Sequence, residues 1–281
     1  LPEGLYFEDE IYPSLAVTYS LQDFWADDFN LRFNFSETVV RPDLREVSDS
    51  SYRDPLTDIV VNGNPDAVPT DISNLDIKAE WVFGNGDNFS ATLFHKDLEN
   101  PIEYFQVEGS EDSIRAVILN SSSGETKGIE FEWMKNLEFL GSTASQFYVS
   151  GNITLSDSEI DLGDINVSAT NRNRPLSGAS DEVINIQLGF DSDDGKHTAT
   201  LAYNVFGERI YTAGTGEEPD SYEQPFDALD FSYAYYPTEA IVLKAKIRNL
   251  LDESITIQKG NVDVYEEEVG RSFSISAKYN F

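Results

Sequence analysis

The carboxyl end of the chain alternates without error: Phe273, Ile275, Ala277, Tyr279 and Phe281 are interleaved with Ser272, Ser274, Ser276, Lys278 and Asn280. Successive side chains of an extended strand point to opposite faces, so this run builds a strand with one apolar and one polar side. The pattern recurs upstream. Ile241, Leu243, Ala245 and Ile247 oppose Lys244, Lys246 and Arg248; Leu229, Phe231, Tyr233 and Tyr235 oppose Asp230 and Ser232. Similar runs surround Ala199 to Val205, Ile184 to Phe190, Phe147 to Leu155, Ile129 to Trp133, Phe89 to Leu93, Leu75 to Phe83, Leu31 to Phe35 and Leu15 to Tyr19. The reading is all-β: an antiparallel meander of about 11 strands with no helix.

The connections are uneven. Short turns follow Leu21, Phe83, Lys135, Asp191 and Tyr236, and they alternate with long polar loops at 41–73, 99–124, 157–181, 207–226 and 252–268. A two-sheet sandwich must bring its apolar faces together and has no reason to lengthen its loops at one end only. A membrane β-barrel does: it has short turns on one side, long loops on the other, an apolar exterior and a wet interior. On that reading Leu31, Phe33, Phe35, Ile129, Phe131, Trp133, Ile241, Leu243, Ile247, Phe273, Ile275 and Tyr279 face lipid. Arg32, Asn34, Lys78, Glu80, Glu130, Glu132, Lys244, Lys246, Arg248, Ser274 and Lys278 line the lumen. Phe24, Trp25, Phe29, Trp81, Phe83, Tyr235 and Tyr236 gather near the turns, where interfacial girdles belong. Composition narrows the partners. A net charge of -32 excludes nucleic acid, which binds clustered cations. The absence of cysteine removes thiol chemistry and disulfides, and only two histidines are present.

Several segments resemble TonB-dependent outer-membrane receptors. Phe35 to Glu46, with Ser36, Thr38, Arg41 and Pro42, is similar to the family's aromatic-Ser-x-Thr run into Arg-Pro. Gly63-Asn64-Pro65-Asp66 with Pro69-Thr70 resembles its Asn-Pro stretch, although Ala67-Val68 and Thr70 depart from the usual residues. Arg248-Asn249-Leu250-Leu251-Asp252 is similar to the penultimate strand, and Gly270-Arg271-Ser272-Phe273 with the terminal Tyr279-Asn280-Phe281 to the last. The resemblance implies one unit, residues 1–281, forming the carboxyl-terminal half of a transmembrane barrel of about 22 strands, without the amino-terminal plug. It implies TonB-dependent active uptake of a bulky nutrient of the siderophore, cobalamin or oligosaccharide class in a Gram-negative outer membrane. Its implied partners are outer-membrane lipid, periplasmic TonB through the plug, the nutrient, and the barrel assembly machinery, which would read Tyr279 and Phe281. A passive porin-like or adhesin-like barrel is the alternative.

No catalytic constellation is legible, because the carboxylates are scattered with no dry setting to raise one pKa. The chain is read as not an enzyme. Aromatic loop residues Tyr104, Phe105, Tyr211, Tyr222 and Phe226 are the candidate ligand contacts, since aromatic faces stack on sugars and flat apolar groups. No cofactor or metal site is expected beyond calcium in acidic loops: Asp157, Glu159, Asp161 and Asp164; Glu217, Glu218, Asp220 and Glu223; Asp263, Glu266, Glu267 and Glu268. His95 is read as an interfacial residue near the loop end of its strand. Open strands at Leu15 to Leu21 and Arg271 to Phe281 are expected to pair with a missing half, because bare backbone in lipid is costly.

Overall fold

A computed structural model describes residues 11–53, 59–107, 115–165 and 169–280. In chain order, β1 (Ser14–Gln22) and β2 (Asp28–Val40) form a hairpin, and the next loop holds β3 (Ser51–Arg53) and β4 (Val60–Asn62). A second hairpin, β5 (Thr70–Val82) and β6 (Asn88–Glu99), is followed by β7 (Ile102–Val107) and β8 (Arg115–Asn120). Next come β9 (Ser123–Asn136), β10 (Phe147–Asp161) and the two-residue β11 (Asn173–Arg174), then β12 (Glu182–Asp191) and β13 (His197–Phe206). The chain continues through β14 (Arg209–Thr212), β15 (Ser221–Glu223), β16 (Ala228–Thr238) and β17 (Ile241–Arg248). It closes with β18 (Ile255–Lys259), β19 (Val262–Glu267) and β20 (Ser272–Tyr279).

The long strands make one antiparallel wall in the order β1-β2-β5-β6-β9-β10-β12-β13-β16-β17-β20, with β11 added to the end of β10. Each wall strand neighbours its sequence neighbour in the wall, so the meander is the one the alternation dictates. Val17 lies opposite Phe33, not opposite the β20 strand, and the wall is open at β1 and β20. It is a partial barrel.

No second sheet covers the apolar face among the described residues. Phe33, Leu93, Leu243 and Phe273 are exposed, and Ile275 is 89% exposed. This is the opposite of a sandwich core. At the turn end an aromatic chain crosses four strands of that face: Phe24 to Phe29, Phe29 to Trp81, Trp81 to Phe89 and Phe89 to Phe131, with ring centroids 5.1–6.1 Å apart. Asp87 closes the β5–β6 turn there. It accepts from the Asn136 amide at 2.8 Å and from Asn85 Nδ2 at 3.0 Å and pairs with Lys135. Burial would raise its pKa, but these bonds hold it down at about 2.

The long connections differ from the expectation of plain loops. Four of the five contain ordinary short strands and the other holds β11; the short strands assemble into two four-stranded sheets, β3-β4-β8-β7 and β14-β15-β18-β19. The turn after Asn136 also holds two single-turn 3-10 helices, Glu138–Leu140 and Ala144–Gln146, where no helix was predicted.

Candidate functional site: the loop layer and the polar face

The two loop sheets belong to a layer with its own interior. Phe105, Ile160, Leu162 and Ala213 form one buried cluster, joined by Val117, Leu119, Ile165, Ala169 and Leu176. These side chains come from three separate connections. A second cluster, Val61, Ala116 and Ile118, unites the first two loops. Bridges Phe105 to Ala213, Ala169 to Thr215 and Ser180 to Arg209 sew the pieces together through the backbone.

Buried polar groups fix the register of this layer. Arg174 Nη2 donates to Glu103 Oε2 at 2.8 Å, with the two side chains 2% and 4% exposed, and Ser177 Oγ donates to the same carboxylate oxygen at 2.6 Å. The guanidinium lies 5.7 Å from the centre of the Phe105 ring. Asp220 is fully buried and accepts from the Gly214 amide at 2.6 Å and from Asn171 Nδ2 at 2.7 Å.

The motif residues explain themselves here. Gly63 packs its backbone against the carbonyls of Arg45 and Ser48, where a Cβ would collide with both. Asn64 Oδ1 caps the Asp66 amide at 3.0 Å, and Asn120 binds Val68 through both its backbone groups while holding the Asn100 carbonyl at 2.7 Å. At the other end Asn249 adopts a left-handed φ of 54° and donates Nδ2 to the Glu253 and Gly270 carbonyls. Asparagine tolerates that conformation and supplies the local bonds that turn the chain.

The aromatic candidates are not gathered at one place. Phe105 has no accessible surface at all and offers no face to a solute; its burial beneath Arg174 and between loops corrects the sequence expectation. Tyr104 is half-buried on the second cluster and donates Oη to Glu46 Oε1 at 3.1 Å. Burial, a hydrogen bond with Tyr52 and the Glu46 carboxylate all push its phenol above the usual range. Tyr222 lines a cavity of about 510 Å³ with Leu155, Pro175, Glu208, Arg209 and Ile210. Burial, then the Asp220 and Glu208 charges, raise its pKa. Tyr211, on β14, and Phe226, between β15 and β16, are half-buried. Phe281, the last residue of the proposed assembly signal, lies outside the described residues; Tyr279 is exposed on the apolar face of β20.

The acidic loop residues largely have protein partners. Glu218 pairs with Lys259 and Glu223 with Arg209, each at 2.7 Å, and Asp161 Oδ1 accepts the Gly163 amide at 2.9 Å. The Lys259 ammonium holds the Glu218 pKa down. Among the described residues the grouping with ligand atoms within 4.8 Å of one another is instead His95, Asp97 and Glu125, at the loop end of β6 and β9. Cross-strand register brings it together, Asp97 lying opposite Glu125 and His95 opposite Lys127. Lys127 Nζ sits 2.7 Å from Glu125 and supplies a cation already.

On the polar face the wall divides. In the first strands Arg32 pairs with Glu80 at 2.8 Å, and Lys78 pairs with Glu132, which also accepts from Ser90 Oγ at 2.9 Å. Asn34 donates to Asp76 at 3.1 Å. Further along, Asn204, Asn185 and Asn152 form a neutral amide relay across β13, β12 and β10. On β17 and β20, Lys244, Lys246, Arg248 and Lys278 are all exposed and make no ion pair among the described residues.

Residues 4–250 match the family described as TonB dependent receptor-like, beta-barrel. The chain belongs to that family. TonB-dependent receptor barrels are transport proteins of the bacterial outer membrane. Among solved structures, the chain is similar to the siderophore receptor PirA from Acinetobacter baumannii, at 16% identity and a TM-score of 0.65, over 96% of this chain and 41% of that one. It is similar to the ferric enterobactin receptor PfeA from Pseudomonas aeruginosa, at 17% and 0.65, over 96% and 40%. The copper transporter OprC gives 16% and 0.67, over 95% and 39%. These likenesses show the fold. The chain thus spans about 40% of the length of the solved structures that it matches. No curated protein sequence matches it.

Proposed function

We propose that this TonB-dependent receptor chain supplies the carboxyl-terminal wall and the external loop layer of an energised importer in the outer membrane of a Gram-negative bacterium. The observation that carries the reading is the open-edged wall: an exposed apolar face, a polar face and two bare edge strands, β1 and β20, in a chain of this family. Bare backbone in hydrocarbon costs several kcal/mol per group, so the edges need further strands. The apolar face meets lipid, and the polar face meets water in the lumen. The loop layer stands outside the cell, with Tyr104, Tyr211, Tyr222 and Phe226 as aromatic contacts for a bulky nutrient of the siderophore, cobalamin or oligosaccharide class. Its acidic loops are candidate calcium holders, TonB acts through a plug, and the strand ending at Tyr279 and Phe281 is the part the assembly machinery reads.

The test is uptake by cells making the full-length receptor, with a panel of ferric siderophores, cobalamin and oligosaccharides. Accumulation of one class above its external concentration, abolished when TonB is deleted, is the expected result. Flux that ignores TonB would replace this reading with a porin, and surface attachment without flux would replace it with an adhesin.

A further inference from the structure

The divided polar face carries more than wall chemistry. The chain has 51 acidic residues against 19 basic ones, so a cation without a carboxylate is the unusual case. Mid-wall Arg32 and Lys78 follow the expectation and hold Glu80 and Glu132. Lys96, near the loop end of β6, makes no ion pair among the described residues, but it stands by itself. On β17 and β20 four cations share one face: Lys244, Lys246 and Arg248 at every second residue, with Lys278 on the adjoining strand. Strand geometry spaces such residues by about 6.8 Å.

Register gives each of the three β17 cations a hydroxyl. Lys244 lies opposite Ser276, Lys246 opposite Ser274 and Arg248 opposite Ser272, and Lys246 also has Ser232 of β16 on its other side. On the β16 side the register brings Asp230 level with Arg248; its carboxylate accepts the Asn249 amide at 3.0 Å and makes no ion pair with Arg248 among the described residues. A cation beside a hydroxyl that can turn its O–H outward, with no carboxylate paired to it among the described residues, is a donor set for an oxyanion.

We propose that Lys244, Lys246, Arg248 and Lys278, with Ser272, Ser274 and Ser276, form an oxyanion ladder along the lumen wall that contacts an anionic solute in passage. This rests on the import reading and adds the charge class of the cargo. A hydrated anionic nutrient fits this wall better than a protein surface does. Docked protein faces have an apolar, aromatic-rich centre, and on β17 and β20 the one described apolar residue of the polar face is Val242, toward the turn end. Several weak, evenly spaced sites suit a solute that must leave as readily as it arrives.

The experiment uses the full-length receptor in detergent and a trisulfonated pyrene dye as an oxyanion probe, read by fluorescence anisotropy. The quadruple variant K244Q/K246Q/R248Q/K278Q is expected to bind the dye at least tenfold more weakly and with a flatter salt dependence. R32Q/K78Q, which removes paired cations from the same lumen, should stay within threefold of wild type. Heat-modifiable gel mobility reports that each variant is folded. Equal affinity in wild type and the quadruple variant, equal loss in both variants, or no dye binding by wild type because a protein segment covers the wall, each overturns the ladder. Dye binding needs no TonB, so a failed ladder and a failed energised import are separate outcomes.

Discussion

The wall and the loop layer are both β-structure, yet they are stabilised in opposite ways. The wall exposes its Leu, Ile and Phe, and apart from Ala234 its described buried apolar residues lie at or beyond the loop ends of its strands. The loop layer encloses Phe105, Ile118, Ile160, Leu162 and Ile210 in the manner of a water-soluble domain. The difference follows from the solvent each part meets. In water, apolar side chains gain by leaving the surface; against lipid they lose nothing by staying there, and the backbone ladder does the organising. One short chain thus uses two packing rules on either side of the strand ends.

The largest effect that would sharpen this contrast is at the buried pair. Arg174→Ala leaves Glu103 charged and enclosed, and should destabilise the loop layer by ~3–5 kcal/mol. Limited proteolysis of the full-length receptor should then cut the loops while the barrel keeps its heat-modifiable mobility; loss of both together would mean that the layer is no separate unit. Ile118→Ala should cost ~2–5 kcal/mol through the cavity it leaves, whereas Leu93→Ala on the apolar face should cost far less, because lipid chains fill the gap. Equal costs in chemical denaturation would remove the distinction. Leu243→Arg should cost ~2–4 kcal/mol if its site lies near the bilayer midplane, and Lys244→Arg almost nothing, measured as folding into lipid vesicles.

The smallest effect concerns acid. Asp87 has a folded pKa of about 2 against an ordinary 3.8, so its contribution is fully present above the ordinary value and is lost as pH falls through the folded one. Asp87→Asn should therefore lower stability at neutral pH and flatten the acid limb between those two values. An unchanged limb in pH-resolved unfolding would show that the turn does not depend on the carboxylate.

The wall was legible because alternation is a local signal: each residue of Phe273 to Tyr279 declares its face by parity alone. The same parity placed Lys78, Glu80 and Glu132 on one side, although not who would pair with whom. The loop layer left no comparable trace. Its strands are three to six residues long, β4 pairs with β8 in parallel across a distant stretch of chain, and Phe105 is buried by Ala213 and Arg174, far from it in sequence. An aromatic in a polar loop reads as surface when its covering residues come from elsewhere. Asp97 and Glu125 were missed for the same reason, since register rather than spacing makes them neighbours.

The shared interior of the loops bears on where the chain can change. Surface connections ordinarily accept insertions because little depends on their path. Here the long connections hold one another's side chains, so added length at Phe105, Leu162 or Ala213 would unseat its neighbours as well. The short turn at Asp193, Asp194 and Gly195 is held mainly by its own hairpin, through Ser192 and His197, with one exposed side-chain bond from the neighbouring turn, Gln146 Nε2 to Asp193 at 2.7 Å. An epitope tag or an evolutionary insertion is therefore better tolerated at the small end of this barrel than among its long loops, the reverse of what loop length alone suggests.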